Sequence, residues 1–262
     1  MGKRVSVRAG HVLSTAGKQA PTGTKERELN EKVKEDVIKL LQNNGIATLD
    51  VSSPLNGKEN RTIDYKKSNE FKADIHLELH HNAMSTNSKW QVSASGVETF
   101  YHPASSEGKK LATIIQNELV LATKMRNRGI KTNNIWTMLT KTTAVAVLPE
   151  MGFMDNYMDY SKITTEGHSY VCAKAIVKGV CKYFGMSFSE KMYGEEATSV
   201  DLITKDVQTK VLTFQRNHGL SPDGIIGPKT WAALMLYKTK YNAIIEGLTE
   251  LEEKLKKIKE EN

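Results

Sequence analysis

The chain has 262 residues, of which 39% are apolar and 7% aromatic, with 37 Lys and Arg against 30 Asp and Glu and only two Cys. That length suits one large or two smaller domains with a sizeable core, and the composition excludes collagen-like, disulfide-scaffold and wholly disordered chains. A net charge of +7 favours polyanionic surroundings, whether nucleic acid, an anionic membrane or a wall rich in anionic polymers, and charge alone does not choose among them.

In chain order, the opening Met1-Gly2-Lys3-Arg4-Val5-Ser6 lacks the apolar stretch of an export signal. It fits a short myristoylation pattern, but it runs into an alternating segment, Arg4 to Ala9, and reads as the start of a first strand. Gly10-His11 follows, as expected of a strand entering a functional loop. From about Lys25 to Asn43 the stripe Leu29, Val33, Val37, Leu40 and Leu41 predicts a helix that stops at Asn43-Asn44-Gly45. A strand (Ile46 to Val51), a polar loop (Ser52 to Asn60), a helix (Thr62 to Phe71) and strands at Asp74 to His80 and Gly96 to Tyr101 come next. A helix from Ser105 to Thr123, an apolar strand from Ala144 to Leu148 and a helix from His168 to Phe184 complete the pattern. Strands alternating with helices over some 185 residues predict an α/β layered sheet. Apolar runs such as Thr143 to Pro149 fall far short of the ~20 residues needed to cross a bilayer, so no membrane insertion is expected.

Cys172 and Cys181 lie nine residues apart in the last helix, which places them on opposite faces roughly 13 Å apart, so they cannot bridge within it. Two unbridged thiols favour a reducing compartment during folding. Residues 186–199 lose all periodicity and read as a linker. A small all-helical module is expected over 200–240, built on Val207, Val211 and Phe214 and on turns at Gly219 to Gly224 and Gly227-Pro228. Over 241–262 the seam Ile244, Leu248, Leu251, Leu255 and Ile258 predicts a charged amphipathic helix, which either docks on that module or mediates weak self-association.

The chemistry-bearing residues cluster by topology. His11 ends the first strand, Glu26 opens the first helix and His80 ends the third strand, and in an open α/β sheet the carboxyl ends of strands gather at one rim. Two imidazoles and a carboxylate would make a three-ligand site with zinc's fourth position left for water, as a catalytic centre needs. Glu150, just past the strand ending at Leu148, is expected on the same rim and offers a carboxylate for proton transfer. Spacing alone leaves other trios open among seven histidines. Glu28 competes with Glu26, although it lies about 200° round the helix. His76, Glu78 and His80 share a strand face and form a rival trio, with His76 and His80 about 13 Å apart. Glu78 is either an acceptor that orients an imidazole or a buried ion partner. His81 reads as a rim or loop residue, His102, His168 and His218 carry no assigned role, and Asn82 is a candidate substrate contact.

Six motifs then occur in a fixed order: Gly10-His11; Glu26 with Asn30; Ala73-Asp74 leading to Leu79-His80-His81-Asn82-Ala83; Gly96-Val97-Glu98-Thr99-Phe100-Tyr101; Asn127-Arg128-Gly129-Ile130-Lys131; and Leu148-Pro149-Glu150-Met151-Gly152-Phe153. Over about residues 3–185 they resemble the zinc-dependent N-acetylmuramoyl-L-alanine amidase family, Amidase_3, of bacterial autolysins and phage endolysins. The resemblance implies a mixed sheet flanked by helices, zinc ligands at His11, Glu26 and His80, and a catalytic Glu150. At Glu78 the chain departs from the small hydroxyl residue usual in that family. The segments Val211 to Leu220 and Asp223 to Thr230 resemble half of a three-helix peptidoglycan-binding domain; a helix-turn-helix DNA reader is the competing account of a small basic module.

The implied activity is hydrolysis of the amide between N-acetylmuramic acid and L-alanine, with peptidoglycan as partner and no nucleic acid. The alternatives are a zinc endopeptidase acting within the stem peptide and a non-catalytic wall-binding protein. The expected setting is synthesis in a host cytoplasm and action on the wall after holin-type release or lysis.

Overall fold

Alternation makes the first strand, β1 (Arg4–Ala9), two-faced: Val5, Val7 and Ala9 are buried on one side, Ser6 and Arg8 on the other. The computed structural model describes residues 2–84 and 89–190 and, beyond them, 211, 213–215, 217–220, 229, 230, 233 and 236. The chain divides into two units, Met1–Tyr193 and Gly194–Asn262. After β1 the first unit carries α1 (Glu26–Asn43), β2 (Ala47–Asp50), α2 (Arg61–Glu70), β3 (Ile75–Asn82), β4 (Val97–Tyr101) and α3 (Ser106–Thr123). It continues with β5 (Asn127–Thr132), α4 (Thr137–Lys141), β6 (Val145–Phe153), α5 (Tyr157–Ile163) and α6 (His168–Tyr183).

The strands form one sheet in the order β2-β1-β3-β6-β4-β5. β2, β1, β3 and β6 run parallel, whereas β4 is antiparallel to β6 and parallel to β5, so the sheet is mixed as the resemblance implies. The apolar face packs Val5, Val7, Ile75, Leu77 and Leu79 against Val33, Val37 and Leu41 of α1 and Ile176 and Val180 of α6. Because α6 packs on both α1 and α3, Cys172 and Cys181 are both buried although they sit on opposite faces, and both are free thiols. The other sheet face is polar: Ser6 bonds Ser68 of α2 at 2.7 Å, and Arg8 bonds Asp64 of α2 at 2.8 Å.

Three differences from the sequence reading have physical causes. The strand expected to stop at Leu148 runs to Phe153, because Pro149 is accommodated opposite Thr99 of β4 and pairing with β3 is in place at His80 and Glu150. Glu150 therefore lies inside β6, not beyond its end. Likewise β3 runs past His80, so His81 is a buried strand residue whose Nδ1 lies 2.8 Å from Asn30 Oδ1, not a rim or loop residue. The elements β5, α4 and α5 escaped notice because the helices have five and seven residues, too few for an apolar stripe, and β5 is half-exposed along most of its length.

The chain also stays on the first unit past residue 186. Met186 and Phe188 pack against its core, and Ser189 exchanges two hydrogen bonds with the Asn44 side chain, at 2.7 and 2.8 Å. The start of the expected linker is thus bound structure, and 191–199 lie outside the described residues. In the second unit Gln215 Nε2 donates to Thr230 Oγ1 at 3.0 Å, both side chains being buried. The rest of the expected helical module is mostly outside the described residues, and the C-terminal helix over 241–262, with its proposed self-association, is wholly so. Among the described residues no helix is long and apolar enough to cross a membrane.

Gly179 marks the closest approach of α6 to α3: a Cβ there would stand 2.7 Å from Ile115 Cγ1 and 3.2 Å from Ile115 Cα. Gly179→Val should therefore lower the unfolding free energy by about 2 kcal/mol through overpacking, read as a lower urea midpoint. An unchanged midpoint would mean that the two helices are not this tightly apposed.

Candidate functional site

The site grows from the end of β1. Gly10 N donates to Leu79 O at 2.9 Å, extending the ladder, and the next residue, His11, turns out of the sheet in the left-handed region at φ 65°. Buried Arg27 holds that turn by donating from Nη1 to the carbonyls of His11 (2.7 Å) and Ala9 (3.1 Å). Gly10 is required for a different reason: a Cβ there would lie 2.1 Å from His80 Nε2, so the imidazole of His80 rests directly on the Gly10 backbone.

α1 begins at Glu26, whose buried carboxylate reaches both rings. Oε1 stands 2.8 Å from His80 Nδ1 and Oε2 stands 3.4 Å from His11 Nε2. The rings of His11 and His80 meet edge to face with centroids 4.8 Å apart. One ligand atom from each of His11, Glu26 and His80 can be chosen so that all lie within 4.8 Å of one another, a grouping compatible with a single metal ion. Asn30, one turn after Glu26, donates to Gly10 O at 3.3 Å and to Glu26 Oε1 at 3.4 Å, fixing the helix start to the strand end. Glu28 is exposed and its Oε2 accepts from Lys25 N at 3.1 Å, so it caps the helix and is not part of the site.

Glu150 sits on β6 in register with His80 on one side and with Glu98 of β4 on the other, so all three project from the polar face. Glu98, within the Gly96 to Tyr101 motif, carries no role that local sequence pattern shows. It is buried, pairs with Arg128 at 2.6 Å and Lys131 at 2.5 Å, and accepts from Asn82 Nδ2 at 2.8 Å. The Asn82 amide expected to meet substrate is thus engaged by Glu98. The signal that could have found Glu98 was its place opposite Glu150, which requires knowing that β4 is antiparallel.

Electrostatics divide the four groups. Burial keeps the His11 imidazole neutral, lowering its pKa to about 4 against the pull of Glu26. Burial alone would raise Glu26, but hydrogen bonding and charge from His80, with His11 adding, hold it down at about 2. For His80 burial is outweighed by the hydrogen bonds to Glu26 and Glu78, which lift it to about 10. Burial pushes Glu150 up to about 8, with His80 opposing and Glu26 adding, which brings it near neutrality, where a proton carrier works best.

Both ring nitrogens of His11, Oε2 of Glu26 and Oε2 of Glu150 are buried without a hydrogen-bond partner. Buried polar atoms are otherwise paired almost without exception, and one His11 nitrogen together with Glu26 Oε2, 3.4 Å from Nε2, fits a cation shared with His80. A cleft of about 230 Å³ opens over the group, with His11, His80 and Glu150 in its lining, cationic Lys18 and Arg61 at its edge and Trp136 on its apolar wall.

Residues 5–182 match the family Amidase_3, described as N-acetylmuramoyl-L-alanine amidase, and residues 193–234 match a family described as a peptidoglycan binding domain. An uncharacterised Bacillus subtilis protein, YqiI, is 28% identical over 190 residues, covering 70% of this chain and 85% of that one. A protein named as a probable cell wall amidase, LytH of Staphylococcus epidermidis, is 27% identical over 185 residues, covering 70% of this chain and 59% of LytH. This chain thus spans less than two thirds of that relative. Among solved structures, an N-acetylmuramoyl-L-alanine amidase from Clostridium difficile 630 superposes with a TM-score of 0.62 at 27% identity, covering 70% of this chain and 97% of that one.

Gly10→Ala should push the His80 ring off its seat and break the 2.8 Å contact with Glu26, visible in a crystal structure of the variant. A ring left in place would show that Gly10 is not what seats it.

Proposed function

Because the chain belongs to the N-acetylmuramoyl-L-alanine amidase family Amidase_3, we propose that it hydrolyses the amide between the lactyl group of N-acetylmuramic acid and L-alanine in peptidoglycan. We assign His11, Glu26 and His80 as the residues that hold zinc and Glu150 as the catalytic carboxylate. The observation that carries this reading is the grouping of His11, Glu26 and His80 ligand atoms within 4.8 Å of one another, with buried atoms of His11 and Glu26 left without a hydrogen-bond partner and with His11, His80 and Glu150 lining one cleft.

When bound, zinc supplies a Lewis acid that activates water and polarises the scissile carbonyl. Glu26 would offer its carboxylate to the ion from between the two rings, with Oε1 2.8 Å from His80 Nδ1 and Oε2 3.4 Å from His11 Nε2. Glu150 Oε2 accepts a proton from the attacking water as the C–O bond forms and returns it to the L-alanine nitrogen as the C–N bond breaks, so the products leave neutral in total. Burial favours this role because it keeps the Glu150 carboxyl able to exist in either protonation state near pH 7. Lys18 lines the cleft and offers a cation suited to a carboxylate of a stem peptide, whereas Arg61 is paired with Glu59 at 2.9 Å.

Residues 193–234 hold the enzyme on the same polymer, raising its local concentration without altering the chemistry. The net charge of +7 suits a wall bearing anionic polymers, and release at lysis, as for an endolysin or an autolysin, brings the chain to it.

Purified wall digested by the zinc-loaded full chain should release stem peptides with new L-alanine amino termini, and chelation should stop the release. New amines within the stem peptide would instead make the enzyme an endopeptidase. Glu150→Gln should retain zinc and lose at least ~100-fold in turnover, whereas His80→Ala should lose both. Full activity in Glu150→Gln would remove that residue from the mechanism, and an undiminished rate after complete metal removal would overturn the zinc assignment.

A further inference from the structure

His80 is held at both ends of its ring. Nδ1 faces Glu26 at 2.8 Å, and Nε2 faces Glu78 Oε1 at 3.2 Å. Glu78 is itself immobilised: Oε1 pairs with Arg8 Nη1, and Oε2 stands 3.2 Å from His76 Nε2. His76 Nδ1 in turn lies 2.9 Å from Ser6 Oγ. The sheet dictates this arrangement, because 76, 78 and 80 share one face of β3 and the parallel register sets Ser6 beside His76 and Arg8 beside Glu78.

Charge balance argues that Glu78 is more than the partner of Arg8. The guanidinium already has Asp64 Oδ2 on Nε and Glu59 Oε1 on Nη2, each at 2.8 Å, so Asp64 compensates its charge with help from Glu59, which it shares with Arg61. Glu78 is a third, buried carboxylate on one cation, and its remaining neighbours are the two imidazoles. A buried carboxylate behind a histidine whose far nitrogen points at a metal-compatible cluster is the arrangement that fixes tautomer and ring direction.

We propose that Glu78 is a positioning residue that accepts the Nε2–H of His80 and so presents Nδ1 to the ion held with His11 and Glu26, with Arg8 and His76 keeping the carboxylate in place. The inference rests on the metal reading above. Holding the ring in advance removes the cost of orienting it when the ion arrives, so the effect should appear in metal affinity before it appears in catalysis.

The test uses the full chain and zinc alone. Glu78→Gln keeps a side chain of the same shape and an acceptor oxygen but loses the charge, and zinc affinity measured by chelator competition should fall by about tenfold or more. Asp64→Asn takes a carboxylate from the same Arg8 without touching His80, and its zinc affinity should stay within about twofold of the parent. Equal weakening in both variants, or none in Glu78→Gln, overturns the proposal by reducing Glu78 to an ion partner. Should Glu78→Gln fail to fold, nitrogen NMR of the zinc-loaded parent decides: the slowly exchanging ring proton of His80 belongs on Nε2 and the metal-shifted signal on Nδ1. The reverse assignment overturns the proposal while leaving zinc binding intact, whereas a parent that takes up no zinc overturns the metal reading itself, and this inference with it.

Discussion

Two carboxylates, Glu26 and Glu150, are buried at one rim of the sheet, and Oε2 of each has no hydrogen-bond partner. Uncompensated buried charge costs several kcal/mol per ion, so each carboxyl either takes up a proton, as the raised pKa of Glu150 allows, or is answered by something cationic. Within the chain, His80 lies against Glu26, and Lys18 Nζ comes to 3.9 Å of its Oε2. The neutral, unpartnered imidazole of His11 adds donor capacity but no charge. A divalent ion would answer Glu26, His11 and His80 together, and much of the surrounding structure makes sense as a scaffold for that demand.

The scaffold works through registers and small contacts. Parallel pairing of β3 with β6 and antiparallel pairing of β6 with β4 bring residues 80, 98 and 150 onto one face, although they are separated by tens of residues in the chain. Gly10 lets the His80 ring lie against the backbone, while Arg27 ties down the left-handed turn that aims His11. Glu98 would add a third carboxylate to an already acidic site, and Arg128 and Lys131 neutralise it. Beneath the rim, Ser6, Arg8, His76 and Glu78 form a bonded polar layer on the face of the sheet that α2 covers.

Much of this was legible in the sequence, for identifiable reasons. The apolar alternation of β1, the stripe of α1 and the Gly10-His11 junction are local patterns, and each announced its element and one site residue. His11, Glu26 and His80 do meet, because strand ends gather at one rim whatever the detailed topology. Contributions that depend on pairing were not legible. The extension of β6 through Pro149, the partnership of Glu98 with Asn82 and Arg128, and the burial of His81 against Asn30 all follow from which strand lies beside which. The two roles open to Glu78 cannot be separated from sequence alone, because Asp64 and Glu59, which also reach Arg8, come from segments outside the strand.

Diffraction from crystals of the full chain, recorded on both sides of the zinc absorption edge, tests the central claim most directly. The account predicts one anomalous peak in contact with His11, Glu26 and His80, with Glu150 facing it across the cleft. A peak beside His76 and Glu78 instead, or a zinc-soaked crystal with no peak at the rim, would contradict it.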